Sequence, residues 1–351
     1  MVLMTVDHAS GQFNAGRLMT DGAAMYTAGA PLPAGQFLTR WISHLCAPTF
    51  VFLAGTALAL SVEKRRARGE PAWALDRFII TRGLIIAALD PIWMSWAFVR
   101  PVVVLLQVLY AIGLSLVCMA LLRRLSTRAM LGVSLGLIAG GELLAGLVQG
   151  VAGRSVPTSL LLTGGMFPPV IVAYPLVPWL AVMVLGWAFG RALAEGEVRA
   201  ERWLPAAGAG ALGLFAVLRW LNGYGNLGLF RADGSVMQWL HVSKYPPSFT
   251  YLALELGLMA LCLAFFFWLA RRGGAARFLQ PLLVLGQTAL FFYVLHVHVL
   301  LAASHALGIH KKAGLVETWV AAGLAVLGLY PLCVWYRRYK LAHPDGWTRY
   351  L

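Results

Sequence analysis

Runs of about twenty apolar residues, bounded by charge or by Gly and Pro, recur along almost the whole of this 351-residue chain. A bilayer core about 30 Å thick needs roughly 20 apolar residues per helix, and in hydrocarbon only helices or closed barrels satisfy their own backbone. The expected spans are residues 41 to 62, 79 to 98, 101 to 122, 129 to 150, 173 to 192, 204 to 221, 248 to 270, 278 to 304 and 314 to 336. Met1 to Phe13 reaches only about 20 Å at 1.5 Å per residue, so it is expected to be a half-span, a re-entrant piece or a helix completed upstream of Met1. It has no basic leader and carries Asp7 and His8, which argues against a cleavable signal peptide. With 60% hydrophobic residues, 12% charged residues and a mean hydropathy of +0.75, the composition is not that of a soluble domain. The expected fold class is all-α, a polytopic transmembrane bundle of about ten helices with its first helix shortened. Residues 1–351 are expected to form one domain.

The formal net charge of +14 invites a nucleic-acid reading, but the basic residues follow topology instead. Taking connections alternately, one set holds Lys64, Arg65, Arg66, Arg68, Arg77 and Arg82, then Arg123, Arg124 and Arg128, then Arg191, Arg199 and Arg202. It ends with Arg271, Arg272, Arg277, Arg337, Arg338, Lys340 and Arg349. The positive-inside rule makes this side cytoplasmic, with the C-terminus inside and residues 10 to 40, 151 to 172 and 222 to 247 outside. The setting expected is a membrane crossed many times. Cys46, Cys118, Cys262 and Cys333 are scattered singly without metal-like spacing and read as packing residues.

An ionisable group inside a span costs about 2.5 to 3.5 kcal/mol on insertion scales, so each asks for a partner, a cavity or a function. Asp7, His8, Arg40, His44, Asp90, Glu142, Glu255, His296 and His298 meet that description. In the topology above, His8 falls toward the outer end of its helix, where Arg40 and His44 begin the next. On one continuous helix Arg40 and His44 share a face, whereas Asp7 and His8 diverge by about 100°. Lys244 and Tyr245 precede Pro246 and Pro247, which are expected to hold the lead-in extended and aim both at the membrane surface. His296 shares a face with Tyr293, so both can line a cavity. His296 and His298 diverge by about 200° and are rejected as a metal pair, and no metal is expected.

Each of these has a bland alternative. Basic side chains at a membrane boundary snorkel to headgroups, which competes with a binding role for Arg40 and Lys244. Glu142 and Glu255 read as helix-helix contacts, and Asp90 beside Pro91 as the cap of a broken helix. His8 is the candidate catalytic residue, because a buried Asp-His pair is costly unless used.

The runs VLMTVDH, FLTRWISHLCAPTFVFLAGTALAL, YPLVPWLAVMVLGWAFGR, LNGYGN, SKYPPSFTYLALELG, LGQTALFFYVLHVHVL and DGWTRYL resemble the bacterial branch of the heparan-α-glucosaminide N-acetyltransferase-like family. That family belongs with the wider transmembrane acyltransferases. The resemblance implies an O- or N-acetyltransferase carrying an acetyl or short acyl group from cytoplasmic acetyl-CoA, or another acyl-CoA, to a sugar or glycan on the periplasmic side. It implies that His8 stands at the essential histidine, and that the arginine the superfamily places about ten residues earlier would precede Met1.

On this reading His8 is the general base, with Asp7 beside it in substrate contact or packing. Arg40, His44, Lys244, Tyr245, Tyr293 and His296 are the candidates for contacts to substrate or acyl donor. The expected partners are the lipid bilayer and the sugar acceptor, with no nucleic acid; whether the chain is a homo-oligomer stays open. A transporter or flippase is the rival reading, since Glu142 and Glu255 would suit a substrate or proton path.

Overall fold

Apolar stretches that leave no polar backbone to lipid become helices, and a computed structural model shows how they are cut and joined. It describes residues 1–99, 102–272, 276–344 and 346–350, and the side chains of 276–278 and 349 are not described. Pro101, where the third expected span begins, and Asp345 and Leu351 of the closing motif lie outside the described residues, as do the side chains of Arg277 and Arg349. In chain order the principal helices are α1 (Val2–Phe13), α2 (Ala34–Trp41), α3 (Cys46–Arg66), α4 (Ala72–Leu89), α5 (Val108–Leu122) and α6 (Thr127–Ala152). They continue with α7 (Leu176–Ala194), α8 (Ala200–Leu221), α9 (Phe249–Arg271), α10 (Ala276–Gln287), α11 (Ala289–Ala306) and α12 (Leu315–Ala342). Eight helical runs among the described residues are long and apolar enough to cross a membrane. The chain is thus an all-α polytopic helical protein.

The expected spans over 101 to 122 and 278 to 304 are interrupted. The third begins as strand β1 (Val104–Leu106) and becomes helical only at Val108, leaving α5 about 22 Å long, shorter than a bilayer core. β1 joins a three-stranded sheet with β2 (Gly165–Phe167) and β3 (Val170–Val172) in the order β1-β3-β2. β1 runs parallel to β3, and β2 antiparallel to it. The span expected over 278 to 304 is cut at Thr288, whose backbone leaves the helical region at φ −117° and ψ 24° and whose hydroxyl donates to the Val284 carbonyl 2.9 Å away.

The described chain divides into two compact units. The first comprises Met1–Thr20, Ala28–Cys46 and Trp268–Leu351 and contains α1, α2, α10, α11 and α12. Its core joins Val6, Ala9 and Phe13 of α1 to Leu300 of α11 and to Ala322 and Ala325 of α12. The connection before α12 is strapped to the end of α1: Lys311 N donates to Gln12 O, and Ala313 N to Phe13 O, both at 2.9 Å.

The second unit comprises Asp21–Thr27 and Ala47–Phe267 and holds the rest, from α3 to most of α9. Here α3 and α7 pack backbone to backbone. A Cβ on Gly55 would lie 2.1 Å from the Met183 carbonyl oxygen, and one on Gly186 would lie 2.0 Å from that of Phe52. The Thr56 hydroxyl donates across the same contact to Gly186 O at 2.9 Å. Small residues with one hydroxyl between them give the close approach that van der Waals packing needs when water supplies no driving force.

Candidate active site

Asp7 and His8 are neighbours on α1 that point in different directions, and each meets its own partners. Asp7 Oδ1 accepts from two guanidinium groups, Arg40 at 2.5 Å and Arg17 at 2.8 Å. Arg17 also donates to the Asp7 carbonyl. The side chains of the three are 5 to 17% exposed.

His8 faces α11. Its Nδ1 lies 2.7 Å from Nε2 of His296, with the rings stacked at 4.9 Å between centroids. His296 is fully buried, and its own Nδ1 lies 2.9 Å from the carbonyl oxygen of Phe292, four residues back on the same helix. A carbonyl only accepts, so Nδ1 of His296 carries a hydrogen, and in the neutral ring Nε2 is then the acceptor. His8 must donate from Nδ1, which leaves its Nε2 as the lone-pair nitrogen. Tyr293 stands edge-on to His8, with centroids 5.8 Å apart. Five residues named from the sequence, Asp7, His8, Arg40, Tyr293 and His296, thus gather in the first unit.

Arg17 is absent from the sequence reading, which looked for an arginine ahead of α1 rather than after it. Its signal was a basic residue following Gly16 in the connection that returns to the helix. His44 is a correction. The helix ends at Trp41, residues 42–45 form turns, and α3 starts at Cys46, so Arg40 and His44 do not share a helical face. Ser43 causes part of this by donating to the Arg40 carbonyl at 2.7 Å, and Pro48 cannot supply the N–H that would carry the ladder across. His44 is buried, 2% exposed, in the first unit.

Lys244 and Tyr245 belong to the second unit. The extended lead-in expected there is instead a tight turn: Lys244 bridges Pro247, and Ser248 N donates to Ser243 O at 2.9 Å. Backbone bonds from Lys244 N and Tyr245 N to Asp21 O hold the turn, so Lys244 is buried rather than aimed at the surface. Arg219, fully buried, organises the chain just before it by donating to the carbonyls of Leu229, Gln238, Trp239 and His241 and to Asn226 Oδ1.

The carboxylates within spans have separate uses. Asp90, in a five-residue π turn, accepts from Gln107 N and Tyr110 N and so caps α5. Glu142 accepts from Gly225 N and Leu227 N, and pins the connection after α8. His298 Nδ1 lies 2.8 Å from Val294 O on its own helix. Among the described residues no group of three or more His, Cys, Asp or Glu is placed to hold a metal ion.

A family model described as "Heparan-alpha-glucosaminide N-acetyltransferase, catalytic" matches residues 18–221. The match takes in Arg40, His44, Asp90, Glu142 and Arg219, whereas Asp7, His8, Arg17, Lys244, Tyr245, Tyr293 and His296 lie outside it. No curated protein matches the chain.

Proposed function

Because the chain belongs to the heparan-α-glucosaminide N-acetyltransferase catalytic family, we propose that it moves an acetyl or short acyl group from acyl-CoA to a hydroxyl or amino group of a sugar, with His8 as the base. The observation that carries this reading is the 2.7 Å contact between His8 and His296, which reserves Nε2 of His8 for a proton.

The steps follow from that arrangement. His8 Nε2 takes the proton from the acceptor as its oxygen or nitrogen attacks the thioester carbonyl carbon. The intermediate collapses with cleavage of the C–S bond, and His8 returns the proton to the departing thiolate. His296 orients the ring throughout and, by accepting from Nδ1–H, supports the imidazolium that forms. Arg17 and Arg40 supply guanidinium groups for an anionic group of a substrate or for the developing oxyanion. Tyr293 and His44 belong to the same unit as candidate substrate contacts, and Asp7 acts by holding the two arginines.

The donor side is assigned to the cytoplasm and the acceptor to the opposite side on the asymmetry of Lys and Arg between alternate connections, and the bacterial cell membrane is taken from the resemblance of the sequence motifs. The transporter reading loses one of its two carboxylates, since Glu142 is engaged by Gly225 and Leu227. Labelled acetyl-CoA and a panel of amino sugars, given to the purified full chain, test the enzyme reading. Label should appear on sugar with wild type and not with His8→Ala. Equal transfer by both proteins would remove His8 from the mechanism.

A further inference from the structure

We propose that Asn14 and Gln36, which the mechanism above does not use, are positioning residues that together set where the guanidinium groups of Arg17 and Arg40 stand at Asp7. What this does for catalysis rests on the role proposed for the two arginines; the placement itself rests on hydrogen bonds alone.

The difficulty to be met is electrostatic. Arg17 and Arg40 converge on the same oxygen, Asp7 Oδ1, although like charges repel and long side chains lose rotamer freedom when held in one geometry. Each guanidinium therefore needs its backbone delivered from a fixed direction.

Asn14, 3% exposed at the end of α1, serves both. Its Oδ1 accepts from Gly16 N at 2.9 Å, an Asx turn that bends the chain back along the helix it has just left. Arg17 follows at once. A Cβ added to Gly11 would lie 3.8 Å from the Arg17 Cζ, so this side chain runs over Gly11 to reach the carbonyl and carboxylate of Asp7. On its other side Asn14 Nδ2 donates to Gln36 Oε1 at 2.7 Å, and Gln36 Nε2 donates back to Asn14 Oδ1 at 3.3 Å. Gln36 precedes Arg40 by one turn on α2, and Asn14 follows Asp7 by about two turns along α1. The two helices thus meet on two rungs, and the rung of Asn14 with Gln36 fixes the register in which Asp7 meets Arg40.

Fastening alone does not call for amides. An apolar pair would join the same ends without desolvating polar atoms, and what the amides add is direction, since each bond forms in a narrow geometry. Asn14 is secured locally as well: Nδ2 also donates to Ser10 Oγ at 3.1 Å. Loss of Gln36 therefore strands neither amide atom of Asn14, and the effect of the cross-helix rung can be read by itself.

The test reads the arginines directly, by phenylglyoxal modification of the full chain in detergent followed by peptide mass spectrometry. In Gln36→Leu, Arg40 should be modified at least about fivefold faster than in wild type, with Arg17 unchanged and the melting temperature close to wild type. Asn14→Leu should accelerate both arginines. Gly16→Ala removes no polar group: Gly16 does not take a left-handed φ, and its added Cβ would fall 2.5 Å from Gln36 Nε2, which pushes that amide off Asn14. It should reproduce the Arg40 effect even where a leucine variant fails to fold. Equal acceleration of Arg17 and Arg40 in Gln36→Leu would mean general loosening, and wild-type rates in Gln36→Leu and Gly16→Ala would mean that the arginines are placed by something else; either result overturns the proposal. Acetyl transfer by the same variants is the second readout, with kcat/KM falling about 10- to 100-fold, the scale of a misplacement by about 1 Å. Selective acceleration at Arg40 with unchanged transfer would uphold the positioning and remove the arginine pair from the mechanism. Lost transfer with wild-type modification rates would overturn the positioning and leave the mechanism standing.

Discussion

Nδ1 of His8 and Nε2 of His296 are 2.7 Å apart, and the second imidazole is anchored to a backbone carbonyl of its own helix. Under the proposed mechanism the two rings have unequal tasks. His8→Ala removes the proposed proton acceptor and should lower kcat by about 10²- to 10⁴-fold. His296→Ala leaves the acceptor in place but unoriented, so kcat should fall by less, with KM for acetyl-CoA little changed. Steady-state kinetics on both variants separate these outcomes, and a larger loss in His296→Ala would exchange the assigned roles.

Asp7 is the shared counter-ion of Arg17 and Arg40, so its removal takes a carboxylate from one buried and one half-buried cation. Asp7→Ala should destabilise the first unit by about 3 kcal/mol, the order found when one partner of a buried pair is deleted. Thermal melting in detergent measures this. Arg17→Ala, which leaves the Asp7–Arg40 pair intact, should cost clearly less.

Arg219 donates to five acceptors within residues 226–241, and lysine cannot reproduce that fan of N–H groups. Arg219→Lys should make the connection between α8 and α9 sensitive to limited proteolysis. Cleavage sites mapped by mass spectrometry should fall between residues 222 and 241. An unchanged digestion pattern would show that the loop is held by something else.

His310 lies outside the membrane-spanning helices, and burial first, then the neighbouring His305 and Lys311, holds its imidazole below the ordinary value of 6.5. Its folded form resists protonation, so as pH falls below 6.5 the unfolded or opened loop takes up the proton more readily and the folded loop loses stability. Hydrogen exchange across residues 307–314 should accelerate between pH 7 and pH 5 in wild type beyond the intrinsic rate change. His310→Gln should flatten that excess.

Gly186 sits where α7 crosses α3, with the Phe52 carbonyl in the place a Cβ would take. Gly186→Ala should therefore force the helices apart and lower the melting temperature, at a cost of about 1 to 3 kcal/mol. Gly132 on α6, where an added Cβ meets nothing, is the matched control and should tolerate Ala.

The spans were legible because lipid imposes one rule on twenty consecutive residues, and composition alone expresses it. Interruptions within a span were harder to read. Thr288 and Ser43 stand at breaks and each bonds a carbonyl through its hydroxyl, and nothing in an apolar window distinguishes those hydroxyls from ones that back-bond within an unbroken helix. The divergence of Asp7 and His8 followed from helical geometry, which holds within one helix. The pairing of His8 with His296 spans 288 positions, and no spacing rule reaches that far. Arg17 was missed for a related reason: a connection that doubles back onto its own helix has no periodicity to betray it. Lys244 illustrates the opposite error, since a basic residue before a span suggests the interface, while the backbone bonds to Asp21 that bury it leave no trace in sequence.

The acceptor at the far end of the imidazole pair is the main chain at position 292, a group that every amino acid carries. Replacing Phe292 alters the ring lying against His296 but cannot delete the oxygen that dictates which nitrogens hold hydrogens. The polarity of the pair is consequently inherited from the winding of α11, and a shift in helical register would disturb it where side-chain drift at that position would not.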